Sequence, residues 1–234
     1  MPLTAQEMSQ LKYQYERIVR ACGIKARKKT IAEECARDIS RYQAPGRFYH
    51  NLTHIKNMLN LINEHVTEFE QPWLVRFAAL KHDVIYDVHN TRDNETHSAI
   101  DAATTGARLG MKERHQSAVV RLIMATEHLG NQHRALRHDE KLLADIDLDG
   151  FSRSWDTVLG NARRVRAEFA HVSDDDFAKG QNAFLVALQM RGFIYQSDVY
   201  KAFEERACEN ILLIRQELKH SIVVARPTDK FSDY

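Results

Sequence analysis

The stretch "PWLVRFAALKHDVIYD", Pro72 to Asp87, opens with proline where a first helical residue belongs and ends its apolar run on an adjacent His82 and Asp83. Proline suits that position because the N–H it lacks has no partner in a first helical turn. The following "DVHNTRDN" reads as a polar loop. Helical signals continue in both directions. Leu11, Tyr15, Ile18, Val19 and Cys22 recur at spacings of three and four, as one buried stripe requires, and Gly23 ends that segment. A second helix is expected from about Thr30 to Tyr42, with "QAPGR" as a turn. Asn51 to Thr53 are good capping residues for a helix burying Ile55, Met58, Leu59 and Ile62.

Downstream, Asn94 can cap "ETHSAIDAATTGARL", which Gly110 stops. "ERHQSAVVRLIMATEH", "DEKLLADIDL" and "SWDTVLGNARRVRAEFAHV" follow as helices. Ser173 with Asp176 makes a capping-box-like start for the next, and Ser197 opens the last long one. No strand pattern, linker or repeat interrupts this reading. The expectation is one all-α domain, a helical bundle over residues 1–220, with helices in 1–43 packing on a core in 44–220 and a tail at 221–234.

Composition narrows the function classes. Thirty-three basic against thirty-two acidic residues leave a formal charge of +1 on 234 residues, so no nonspecific attraction to nucleic acid or anionic membrane is expected. Cys22, Cys35 and Cys208 are odd in number and lack metal-type spacing, which reads as free thiols in a reducing compartment. With no apolar signal core and no membrane-length run, a cytoplasmic protein is expected.

Chemistry concentrates in three places. "RFYHNLTHI", Arg47 to Ile55, holds His50 and His54 one helical turn apart. His82 and Asp83 are helix neighbours, which differ by roughly 100° and share a site only where the helix ends. "ADIDLDG" sets Asp145, Asp147 and Asp149 among Leu142, Leu143, Ile146 and Leu148. An acid in apolar surroundings needs a partner, because unpaired burial of its charge is costly. Together these residues supply enough nitrogen and oxygen ligands for one divalent ion with water left on it.

The order His54, His82-Asp83, Asp147 resembles the HD superfamily of metal-dependent phosphohydrolases. "RYQAPGRFYHNLTH", "HDVIYD", "NETHSA", "IMATEH", "DIDL", "RGFIYQ" and "FEERACENI" are similar to a subgroup of small bacterial predicted HD phosphohydrolases, over about Arg41 to Asn210. "YHNLTH" is also similar to the YHNxxH element of cyclic-nucleotide phosphodiesterases. Their HDxxH element is absent, since Tyr86 stands where its second histidine would be, so cyclic-nucleotide specificity is not carried over.

The resemblance implies a bundle of the HD-domain type, with His54, His82, Asp83 and Asp147 holding one or two divalent ions (Mn, Co, Ni, Zn, Fe or Mg). Asp147 is preferred to Asp145 as the last ligand. Bound water, its pKa lowered to roughly 7, would attack phosphorus in a small phosphorylated substrate such as a nucleotide. Asp83 would bridge two ions if two bind, and His50 would protonate the departing oxygen. Arg47 either binds phosphate or fixes the turn through a salt bridge. Glu95 could orient the water, Tyr86 and Asp87 line the mouth, and His128 is a further ligand or phosphate contact. Two alternatives stay open: an HD-fold di-iron oxygenase using His115, His128 and His133, or a noncatalytic helical binding protein. A homo-oligomer is open as well.

Overall fold

The computed structural model describes residues 3–129 and 135–219. Among them are ten α-helices and no strand: α1 (Ala5–Ala21), α2 (Lys28–Tyr42), α3 (Leu52–Glu64), α4 (Pro72–Lys81), α5 (Asn94–Leu109), α6 (Glu113–Ala125), α7 (His138–Asp147), α8 (Trp155–Glu168), α9 (Asp174–Met190) and α10 (Glu204–Lys219). The all-α expectation holds. The expected tail at 221–234, and His133, lie outside the described residues. No helix among the described residues is long and apolar enough to cross a membrane. All three cysteines are free thiols.

Every residue from Leu74 to Lys81 is buried, so α4 is enclosed on all sides. α1, α3, α5, α6 and α7 pack around it. It carries two buried cations: Arg76 donates to Asn63 Oδ1 at 3.0 and 2.8 Å, and Lys81, the deeper of the two, is matched by carboxylates. Lys81 Nζ donates to Asp38 Oδ1 at 2.8 Å, Asp101 Oδ2 at 3.0 Å and Thr105 Oγ1 at 3.3 Å. Tyr15 donates its hydroxyl to Asp38 Oδ2 at 2.7 Å, and Arg41 pairs with Asp101 Oδ1 at 2.6 Å. The network draws α1, α2 and α5 onto the last turn of α4. Burial pushes the Asp38 carboxyl up despite Lys81, which shows how strongly desolvation opposes this pairing.

Local signals mostly fall where expected. Asn51 Oδ1 accepts the Thr53 amide at 2.8 Å and caps α3, and Ser173 caps α9. Gly110 ends α5 with φ +82°, where a side chain would be strained. Asn94 departs from expectation, because it is the first residue of α5 rather than its cap. Its amide instead accepts from the Asp87 N–H at 2.8 Å and donates to the Asp87 carbonyl at 3.2 Å. The bonds to the Asp87 backbone, seven residues back, take the place of the cap. After Ser197 the chain first makes a 3-10 segment, Asp198–Phe203, and only then α10.

Removing one member of a buried ionic network leaves its partner uncompensated. Asp38→Ala should lower the stability to urea by roughly 3 kcal/mol with an unchanged denaturant slope. The same change at exposed Asp198, paired only with Lys201, should leave the midpoint where it is.

Candidate metal centre

Two helices and the end of a third converge on a single point. His54 projects from the first turn of α3, Asp147 is the last residue of α7, and His82 and Asp83 follow α4. α4 stops at Lys81, and His82 and Asp83 both turn toward the same point. His54 Nε2 lies 3.2 Å from His82 Nε2 and 3.0 Å from Asp147 Oδ1, and His82 Nε2 lies 3.4 Å from Asp147 Oδ1. Asp83 Oδ2 is 2.9 Å from His82 Nε2 and 3.9 Å from His54 Nε2. The side chains are deeply enclosed, from 0 % exposed for His82 to 14 % for Asp147.

These separations fit a divalent cation. Donor atoms about 2.1 Å from one ion stand about 3.0 Å apart at right angles and about 3.4 Å apart at the tetrahedral angle. His54, His82 and Asp147 form a metal-capable triad by this geometry, with Asp83 beside it. The His82 ring is oriented for the purpose. Its Nδ1 donates to the Ala79 carbonyl at 2.9 Å, which leaves Nε2 to face the centre.

Electrostatics agree with the geometry. Burial works against a charged His82, but Asp83 and Asp147 outweigh it and raise its pKa well above the ordinary histidine value. Burial likewise opposes ionisation of Asp83 and Asp147, yet His82 holds both below the carboxylate range. The two carboxylates favour positive charge at this point, and a metal ion held there would compete with a proton for the His82 ring.

Asp147 and Asp145 separate cleanly. Asp145 is fully buried and accepts the amides of Gln196 and Ser197 at 2.8 and 2.7 Å, tying the segment before α10 to α7. Burial pushes its carboxyl up to about 6. Asp147 faces the centre, and its second oxygen accepts from His128 Nε2 at 2.9 Å. His128 therefore touches the proposed ligand set.

A second cluster adjoins the first around His50. His50 Nδ1 and Glu168 Oε2 are 2.6 Å apart, and the Tyr86 hydroxyl donates to the same oxygen at 3.0 Å. Glu168 Oε1 accepts the amides of Tyr49 and His50 at 2.7 and 2.9 Å. The His50 ring stacks on Tyr86 with centroids 4.3 Å apart, and Tyr49 packs against both His50 and His54. Burial alone would lower the pKa of His50, but Glu168 and then Asp83 raise it above the ordinary value.

The other expected residues are placed as follows. Among the described residues Arg47 makes no salt bridge of the expected kind. Its guanidinium donates to the carbonyls of His50, Asp83 and Val84 at 3.2, 2.6 and 3.2 Å. Glu95, half-buried in the first turn of α5, has its carboxyl pushed up to about 7, chiefly by burial, and lies within electrostatic reach of Asp83 and His128. Asp87 is exposed and uses its carboxylate to accept the His89 amide at 2.8 Å, so it shapes the loop.

Glu168 and Tyr49 are the members that sequence reasoning missed. Glu168 follows Arg163, Arg164 and Arg166 and looks like one more charge on a solvated helix. The flanking Ala167 and Phe169 are the only local hint of burial.

No protein-family model matches the chain, and no curated protein matches it.

If the triad holds an ion, Asp147→Asn should take up less Mn²⁺ than the unaltered chain, measured by metal analysis after dialysis against Mn²⁺. Asp145→Asn should keep the unaltered chain's uptake while losing roughly 2 kcal/mol of stability, because a buried carboxylate accepting two amides is replaced by a weaker acceptor.

Proposed function

We propose that the protein is a divalent-cation-dependent phosphohydrolase, cleaving a phosphoester or phosphoanhydride in a nucleotide or another small metabolite. The convergence of His54, His82 and Asp147 donor atoms at 3.0 to 3.4 Å, enclosed and backed by Asp83, carries this reading. A divalent ion held there supplies a Lewis acid for phosphoryl oxygens and lowers the pKa of water.

The chain's own residues supply the rest. With Nδ1 committed to Glu168, His50 has Nε2 left for substrate. Glu168 shifts the His50 pKa above the ordinary histidine value, which favours the protonated ring that a general acid requires. His50 gives its proton to the departing oxygen as the phosphorus–oxygen bond breaks. Glu168 holds the ring in position and stabilises its charge beforehand, while Tyr86 covers one ring face. Glu95 orients the incoming water; with a pKa of about 7 it exchanges a proton readily at neutral pH. Arg47 supports the site from behind by holding the Asp83 and Val84 carbonyls.

The test is a hydrolysis screen with protein loaded with Mn²⁺, Co²⁺, Ni²⁺ or Mg²⁺. Substrates would be an aryl phosphate, nucleoside mono-, di- and triphosphates, cyclic dinucleotides and sugar phosphates. Turnover of at least one is expected, with His82→Ala and Asp83→Ala inactive. His50→Ala should lower kcat by about 10²–10⁴, and by less where the leaving group needs no proton. Activity that survives both His82→Ala and Asp83→Ala contradicts the assignment. So does protein purified with two irons and an O₂-sensitive spectrum.

A further inference from the structure

Outside the centre, two more imidazoles meet. His89, in the loop after α4, and His171, in the turn after α8, are both exposed, and their ring centroids lie 4.1 Å apart with planes inclined at 45°. His171 also lies against the Phe169 ring, with centroids 6.1 Å apart.

The backbone beneath each ring is fixed. Asp87 Oδ1 accepts the His89 amide, and Asn94 clamps Asp87 through both its N–H and its carbonyl. Across from it, the Phe169 carbonyl accepts the Val172 amide at 2.9 Å and closes a turn around His171. Arg166 donates to the Phe169 and Val172 carbonyls at 2.7 and 3.0 Å, holding both ends of that turn. Tyr86 and Glu168, each three residues before its histidine, join the two segments directly. Two chain segments distant in sequence are thus locked side by side, each presenting an imidazole to solvent.

The His54–His82 pair gives a scale for what such rings can hold. Its centroids are 5.2 Å apart with Nε2 atoms at 3.2 Å, the spacing a cation about 2.1 Å from each nitrogen needs. The His89 and His171 ring centroids are closer than this, at 4.1 Å, and both side chains are exposed.

We propose that His89 and His171 form a second, exterior cation site for a borderline divalent transition ion of the Zn²⁺, Ni²⁺ or Cu²⁺ class, with water completing the shell. Imidazole nitrogen suits those ions, whereas Mg²⁺ and Ca²⁺ favour oxygen ligands. A bound ion ties the loop after α4 to the turn after α8, along the outer edge of the His50–Tyr86–Glu168 cluster. The site stands whatever the deeper centre acts on.

Ni²⁺ binding by equilibrium dialysis, with amide hydrogen exchange on the same samples, tests it. The unaltered chain should take up one equivalent more Ni²⁺ than either His89→Ala or His171→Ala; both positions are exposed, so neither substitution threatens folding. That extra equivalent should slow exchange in residues 87–93 and 169–172, and Mg²⁺ should not reproduce the effect. In His82→Ala the exterior equivalent and its protection should remain, which separates failure of the deeper centre from failure of this site. Equal Ni²⁺ uptake by the unaltered chain and His171→Ala overturns the proposal. Uptake without protection of these two segments overturns it equally.

Discussion

The site depends on how α4 ends. His82 and Asp83 can serve one point only if the helix stops between its apolar run and these residues, and stopping a buried helix strands its final carbonyls. Side chains satisfy some of them. The Ala79 carbonyl accepts from His82 Nδ1 and the Leu80 carbonyl from the Tyr42 hydroxyl at 3.1 Å; just past the helix, Arg47 donates to the carbonyls of Asp83 and Val84. The Lys81 carbonyl accepts the Val84 amide at 3.2 Å. The bonds that terminate the helix also aim the His82 ring and hold the Asp83 backbone.

The same end is anchored from outside by the Lys81 network. Buried ion pairs bring little net stability, since desolvation offsets most of the attraction. Their directionality is the more useful property here. Lys81 bridges Asp38 of α2 and Asp101 of α5, so the network favours the rotation of α4 that presents His82 to the centre. The N-terminal helices therefore brace the metal-ligand segment: Tyr15, Asp38, Arg41 and Tyr42 all bear on the last turn of α4 or its partners.

Much of this was legible in the sequence because helices announce themselves locally. Periodicity, capping residues and stop glycines placed the helices to within a few residues, and the His54, His82, Asp147 order pointed to residues that do meet. Contacts made across the fold were not legible. Asp145 and Asp147 share one apolar setting, and two helical positions apart they face nearly opposite ways, about 200° around the axis. Only the position of the 194–197 segment shows which one turns inward. Asn94 has the composition of a cap but binds Asp87, and Arg47 binds carbonyls that no local pattern reveals. Glu168 comes from more than a hundred residues away to sit on His50, with only the flanking Ala167 and Phe169 to distinguish it from surface charge.

The central claim is that these side chains form a cation site, and anomalous diffraction from crystals grown with Mn²⁺ addresses it most directly. A peak is predicted about 2.0–2.2 Å from His54 Nε2, His82 Nε2 and Asp147 Oδ1, with an Asp83 oxygen in contact and Asp145 still on the Gln196 and Ser197 amides. Saturating Mn²⁺ with no peak among these atoms, or a peak ligated by Asp145 instead, would contradict the account.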